Sequence, residues 1–192
     1  MGNEQPAAYY DSHLTGVSKP LEQSPWLAVY AVTANLLPPA EQDPLIADLG
    51  CGTGRLAKLL WSRGYRHYWG VDFSPARIAE ATRYVPGANF EVGDLFDGAM
   101  RERFAELDAF VALEILEHVE GDIELVQAIP AGRTVVFSVP NYDSAGHVRT
   151  FDGVDDARAR YDHLLSFCPE DYAVLPNRRP EKKIFVLRGT RR

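Results

Sequence analysis

Apolar residues along this chain fall into short, nearly continuous runs separated by stretches of helical spacing. The runs Leu45 to Leu49, His67 to Asp72, Asn89 to Gly93, Leu107 to Leu113 and Thr134 to Val139 read as buried strands. Between them the period changes. Ser24-Pro25 supplies a cap and first-turn proline for a helix on which Trp26, Val29, Tyr30, Thr33, Leu36 and Leu37 share a side until Pro38-Pro39. Leu56, Leu59 and Leu60 form one face of a helix opening at Arg55, with Gly64 placed as a left-handed C-terminal cap. Ser74-Pro75 starts another helix, and a further one runs from Asp122 to Ile129 before Pro130. From Phe151 the pattern weakens to a short helix around Val154 to Ala159, a strand within Tyr161 to Phe167 and a last strand from Lys183 to Leu187. The stretch 155–182 is the least patterned. Five β/α units followed by two strands predict a mostly parallel sheet with an antiparallel edge.

A length of 192 residues predicts one domain, with residues 1–38 as an N-terminal arm and helix and residues 44–192 as the core. Hydrophobic residues at 46% and charged residues at 24% exclude wholesale disorder. A net charge of −7 disfavours a general nucleic-acid binder. The mild basic concentration from Arg178-Arg179 through Lys182-Lys183 to Arg191-Arg192 reads as a solvated edge. Cys51 and Cys168 are far apart, which supports neither a zinc knuckle nor a disulfide framework. No signal-like or membrane-length apolar run is present, so a cytoplasmic protein without a membrane partner is expected. Oligomeric state is left open.

The most informative stretch is Asp48-x-Gly50-Cys51-Gly52-x-Gly54, at the end of the first strand. Glycines at alternate positions bare the backbone at a strand end, so a flat ligand can lie against the main chain and the following helix. A dinucleotide fingerprint would place its third glycine where Arg55 stands, and no phosphate-loop motif is present. Asp48 would repel a pyrophosphate but suits a cationic ligand such as S-adenosylmethionine, which carries an ammonium and a sulfonium. Asp72, about 20 residues beyond the glycines, is placed to accept hydrogen bonds from ribose hydroxyls. Phe73 either staples Ile78 at the helix start or lines an adenine face.

The Asp48-to-Gly54 motif resembles the first motif of the class I S-adenosylmethionine-dependent methyltransferases, and the resemblance covers about Leu45 to Leu187. It implies a doubly wound, seven-stranded Rossmann-like α/β fold with helices on both faces. It also implies that Asp94 receives the adenine amino group while the backbone at Leu95 touches the ring edge. Glu114, where the fourth strand ends, completes the expected cofactor set of Asp48, Gly50, Cys51, Gly52, Gly54, Asp72, Phe73, Asp94 and Leu95.

The resemblance implies methyl transfer by in-line displacement to a small-molecule acceptor, at oxygen or nitrogen. A base is needed only if the acceptor must lose a proton, and His118 and His147 lie on strand-end loops suited to that role. His67 and His163, beside or within strands, read as structural, and His13 rests in the arm. Two alternatives remain. Glu114-x-x-Glu117-His118 with His147 resembles the metal site of small-RNA 3′-terminal 2′-O-methyltransferases, implying a divalent ion and an RNA acceptor. A nicotinamide-dependent oxidoreductase, or a module that binds cofactor without turnover, would use a similar fold.

Overall fold

The computed structural model describes residues 2–12 and 20–192. His13 lies outside the described residues. The strands are β1 (Ile46–Leu49), β2 (Tyr68–Asp72), β3 (Asn89–Val92), β4 (Ala109–Leu113), β5 (Thr134–Pro140), β6 (Leu165–Asn177) and β7 (Arg179–Arg191). They form one sheet in the order β3-β2-β1-β4-β5-β7-β6. The first five are parallel, and β7 runs antiparallel between β5 and β6. Winding reverses between β1 and β4, and in such sheets the crevice beyond the carboxyl ends of the strands at the reversal is where ligands sit.

Around the sheet lie α1 (Ala7–Asp11), α2 (Leu27–Leu36), α3 (Arg55–Ser62), α4 (Pro75–Tyr84), α5 (Gly98–Glu102), α6 (Asp122–Ala128) and α7 (Val154–Tyr161). Alternation along the strands divides the core. Ala47, Phe110 and Phe137 pack with Leu125 of α6 and Tyr161 of α7, whereas Ile46, Val111 and Val136 pack with Val29 of α2 and Leu56 and Leu60 of α3. Because helices cover both faces, the central strands are apolar throughout, the pattern visible in the sequence. Among the described residues, no helix is long and apolar enough to cross a membrane.

Local signals act as the sequence leads one to expect at most boundaries. Ser74 caps α4 by accepting from the Arg77 N–H, with Pro75 in the first turn. Gly64 closes α3 at φ +94°, a left-handed conformation that glycine adopts without a Cβ clash. The helix expected from Pro25 starts later: Ser24 Oγ accepts from the Trp26 N–H at 3.3 Å and the Ser24 carbonyl from the Leu27 N–H, so residues 24–26 form a turn before α2.

The C-terminal third departs further from expectation. The strand expected within Tyr161 to Phe167 begins only at Leu165 and runs to Asn177, and β7 extends well beyond Lys183 to Leu187. Together they make a hairpin of two 13-residue strands. Pro169 and Pro176 mask this strand in the sequence, yet both lie on the edge strand, where a missing N–H is tolerated. Slips in register between Phe167 and Tyr172 and between Pro176 and Asn177 accommodate them.

A buried acid ties the loops of this half together. Asp122, fully buried at the start of α6, accepts from Arg160 Nε at 2.6 Å, Arg160 Nη2 at 2.8 Å and the Tyr161 hydroxyl at 2.7 Å. Arg149 adds a fourth contact at 3.3 Å. Burial pushes this carboxyl up, but hydrogen bonds from Arg160 and Tyr161 and the charge of Arg149 outweigh it and hold the group below its ordinary range. Asp122→Ala leaves two guanidiniums facing a void and is expected to cost about 3–5 kcal/mol in denaturant unfolding. Since the folded carboxyl titrates below its unfolded value, its contribution is present above the ordinary carboxylate range and lost as pH falls through the depressed value. The gap between wild type and Asp122→Ala should therefore narrow on acidification.

Candidate active site

The carboxyl ends of β1, β2, β3 and β4 open into a cavity of about 650 Å³. Its floor is the glycine turn. Gly50 and Cys51 N–H groups donate to the Val71 carbonyl at 2.8 and 3.0 Å, holding the turn against β2. Gly50, Gly52 and Gly54 all have positive φ, but they do different things. A Cβ on Gly50 would lie 2.0 Å from Ile115 Cδ1, so that glycine admits the β4 loop. A Cβ on Gly52 would meet nothing nearer than Arg77 Nη1 at 3.9 Å, so its bare side is open. Gly54 does not line the cavity: a Cβ there would press on Ala81 Cα and Phe90 Cζ, each at 3.1 Å, and the residue serves close packing of α3 on α4 and β3.

The other residues expected at a cofactor, Asp48, Gly50, Cys51, Gly52, Asp72, Phe73, Asp94, Leu95 and Glu114, all line this cavity. Asp72 Oδ2 accepts from the Gly52 N–H and Oδ1 from the Ser74 N–H, both at 2.9 Å. Burial raises its carboxyl, while those two amides and the charge of Arg77 lower it. Phe73 is exposed at the cavity wall, its ring 5.3 Å from that of Tyr10. Asp94 Oδ1 accepts from the Phe96 N–H at 2.9 Å, a turn that leaves its other oxygen open. Cys51 is a free, buried thiol pushed well up by desolvation.

Asp48 points from β1 into the core under α2 and α3. Its only hydrogen bond among the described residues comes from the Tyr68 hydroxyl at 2.5 Å. Burial raises its carboxyl to about 7, against the effect of Tyr68 and with Asp72 adding to the rise. Tyr30 faces the same spot, its phenol raised to about 12 by burial and by the charge of Asp48.

Beyond Asp48 the β4 loop supplies two more acids, Glu114 half-buried and Glu117 fully buried. Glu114 adopts φ +55°, its N–H donating to Ser138 Oγ at 3.0 Å while that hydroxyl donates to Glu114 Oε1 at 2.9 Å. Burial raises Glu114 to about 7. Glu117 is completely buried, its carboxyl raised by burial and by the charge of Glu114, and neither oxygen has a hydrogen-bond partner among the described residues.

The two candidate histidines part company. His118 lines the cavity, its Nδ1 3.0 Å from the Gly146 carbonyl, which requires a proton there and leaves Nε2 as a lone pair. Burial, then His147, lowers it to about 4, so it is neutral near pH 7. His147 does not line the cavity: it is buried behind His118 with ring centroids 4.7 Å apart, its Nδ1 on the Tyr142 carbonyl at 3.0 Å. Direct contact of His147 with a substrate in the cavity is therefore not provided by this arrangement. Glu117, His118 and His147 nonetheless bring one ligand atom each within 4.8 Å of one another. His67 and His163 are exposed, beside Asp43 and Asp162 respectively.

Several lining residues escape a reading of the sequence. Tyr10 hangs from the N-terminal arm with its hydroxyl 3.4 Å from His118 Nδ1, and Asp11 accepts from Ser74 Oγ at 2.5 Å. Trp26 and Tyr30 look only like the apolar face of α2. Arg178, exposed as a solvated edge leads one to expect, also lines the cavity.

Residues 46–131 match the model of a family described as "Methyltransferase domain". Trans-aconitate 2-methyltransferase of Streptomyces avermitilis is 34% identical over 149 residues, covering 72% of this chain and 55% of that protein. The chain spans about half the length of the curated relatives it matches. Among solved structures, N-methyltransferase NodS from Bradyrhizobium japonicum, bound to S-adenosyl-L-homocysteine, superposes with TM-score 0.71 at 16% identity over 96% of this chain and 97% of its own. The [4+2]-cyclase SpnF superposes with TM-score 0.72 at 12% identity over 100% and 99% of the two chains. Likeness at that level belongs to the fold and not to one reaction.

Asp48→Asn keeps an acceptor for Tyr68 and removes a buried charge. The folded carboxyl titrates near 7, above its unfolded value, so it opposes folding increasingly as pH rises to about 7 and fully above that. The ligand-free variant is expected to melt higher than wild type at pH 8, with the difference vanishing near pH 4. Scanning calorimetry at both pH values measures it, and equal melting temperatures at pH 8 contradict the assignment.

Proposed function

We propose that this chain, a member of the class I S-adenosylmethionine-dependent methyltransferases, binds S-adenosylmethionine over Gly50, Cys51 and Gly52 and methylates a small-molecule acceptor at oxygen or nitrogen. The observation that carries this reading is that Asp48, Asp72 and Asp94, from three successive strand ends, line one cavity around the open side of Gly52. When bound, the cofactor supplies a methyl group already activated on a sulfonium. The protein's task is then binding, orientation and exclusion of water.

Asp72 keeps lone pairs for a ribose diol after receiving two amides. Asp94 and Leu95 stand where an adenine edge would lie, with Phe73 against its face. Asp48, desolvated and without a neighbouring cation, suits the ammonium end. The same acids disfavour a nicotinamide dinucleotide, whose pyrophosphate would meet Asp48. Tyr10, carried by the arm, roofs the side facing His118. His118, neutral near pH 7, is a hydrogen-bond acceptor for an acceptor hydroxyl. A cytoplasmic location goes with this reading, on the two cysteines left as free thiols.

A second reading, metal assistance, is favoured by one observation, the unpartnered carboxyl of Glu117 beside two imidazole nitrogens. These donors fit a divalent ion, and Glu117, His118 and His147 would hold it. It would polarise an acceptor hydroxyl.

Calorimetry with S-adenosylhomocysteine tests the main proposal: saturable binding is expected, and its absence in the intact protein contradicts it. Asp72→Ala should weaken that binding by at least about 1 kcal/mol, through loss of hydrogen bonds to a charged group. Because a cationic ligand selects ionised Asp48, which titrates near 7 when the site is empty, affinity for S-adenosylmethionine should fall as pH drops below about 7. For the metal reading, a chelator should abolish turnover and added magnesium or manganese restore it.

A further inference from the structure

We infer that the acceptor carries a carboxylate and that Arg178, at the tip of the β6–β7 hairpin, receives it; this rests on the methyltransferase reading above. Three cations line the cavity: Arg55, Arg77 and Arg178. Two lie over aromatic rings of the protein. Arg77 lies 4.7 Å over the Tyr10 ring and lowers Asp72 by its charge, so it belongs to the nucleoside half. Arg55 is buried at the start of α3, 5.7 Å over the Tyr84 ring. Arg178 forms no salt bridge among the described residues. Of the three it is the exposed one, at the edge of the cavity away from the nucleoside half.

Two further features point the same way. Arg178 has φ +49° and is the single residue between the paired Asn177 and Arg179. A side chain is disfavoured in that left-handed region, where glycine or asparagine is the usual occupant. Strain of this kind persists where the surrounding structure imposes it, and it clusters at binding sites. Here the tip is held from both flanks. Asn177 Nδ2 donates to the Tyr142 hydroxyl at 2.5 Å, the Lys183 N–H donates to Asn141 Oδ1 at 2.6 Å, and Asn141 Nδ2 donates to the Glu181 carbonyl at 3.1 Å. Lys182 Nζ sits 4.6 Å over the Tyr142 ring, adding positive charge on the same side.

The cavity thus has unlike halves. Acids gather around the glycine turn, suited to a cation and a diol, while the exposed Arg178 stands at the edge on a hairpin tip held by its neighbours. A guanidinium fork matches a carboxylate by two parallel hydrogen bonds. The flat two-oxygen face of a carboxylate matches that fork, and Lys182 on the same side offers positive charge to a further carboxylate. Arg178 is accordingly a specificity-determining residue.

The test uses the whole chain and measures S-adenosylhomocysteine release with three probe sets: small di- and tricarboxylic acids, their amides, and phosphomonoesters of similar size. Acids are expected to be methylated and amides not. Arg178→Gln should raise KM for the best acid by about tenfold to a hundredfold, with S-adenosylhomocysteine affinity unchanged and Arg178→Lys restoring part of the loss. Arg178→Gly, which relieves the left-handed backbone, should melt no lower than wild type yet show the same KM defect, which separates recognition from folding. Equal turnover of acids and amides, preference for phosphomonoesters, an unchanged KM in Arg178→Gln, or no acid methylated by a protein that binds S-adenosylhomocysteine normally would each overturn the inference. Failure to bind S-adenosylhomocysteine at all would instead sink the methyltransferase reading, and this inference with it.

Discussion

One carboxylate holds the site together. Asp72 joins the loop after β1 to the loop after β2 by accepting the Gly52 and Ser74 amides, one on each oxygen. The first contact keeps the bare side of Gly52 turned to the cavity, and the second orients the residue that caps α4. Ser74 in turn donates through its hydroxyl to Asp11, so the arm that roofs the cavity is moored to the same two-residue stretch. Floor, wall and roof therefore share one anchor. The two amide donors, with the charge of Arg77 nearby, let an acid be buried there, because hydrogen bonds to the charged form offset much of the cost of desolvation.

The molecule contains two kinds of buried acid, and the contrast is informative. Asp122 is surrounded by Arg160, Tyr161 and Arg149, and its carboxyl is held low. Asp48 and Glu114 have no such cation, Glu117 feels only the charge of Arg149, and all three carboxyls are held high. Burial is similar in both places, so what differs is compensation. In the first case the protein supplies its own counter-charge and gains a rigid joint. In the second the desolvated oxygens are left for something that arrives from outside, the kind of perturbation that marks a functional cleft.

How much of this was legible in the sequence follows from where the information lies. The five parallel strands could be read because helices cover both their faces, making them continuously apolar, and the glycine turn because left-handed backbone narrows the choice of residue. Asp48, Asp72 and Asp94 could be placed because each follows a readable strand. The β6–β7 hairpin could not, since an edge strand alternates exposure and carries prolines that look like breaks. Arg178 was hidden with it: a basic residue in an unpatterned stretch gives no sign that a hairpin tip will bring it to the cavity. His147 misled for another reason. Its loop does reach the site, but the imidazole turns behind His118, a choice of side-chain direction that spacing does not encode. Gly54 likewise belongs to the motif but answers to Ala81 and Phe90, neighbours that only tertiary packing brings near.

The ionic joint and the functional acids are mechanically linked. Arg149 not only faces Asp122 but donates to the carbonyls of Leu116, Val119 and Glu120, drawing in the loop that carries Glu117 and His118. That loop begins with Glu114 in a left-handed conformation unfavourable for a side chain, and it brings two acids together in a dry space. Local propensity opposes both features. The guanidinium of Arg149, itself fixed by the Asp122 cluster, satisfies three of the loop's carbonyls in this shape and so favours it. A structural ion cluster on the α6–α7 side thus sets the geometry at the far end of β4, which explains why so strained a loop can be held in one place without help from its own sequence.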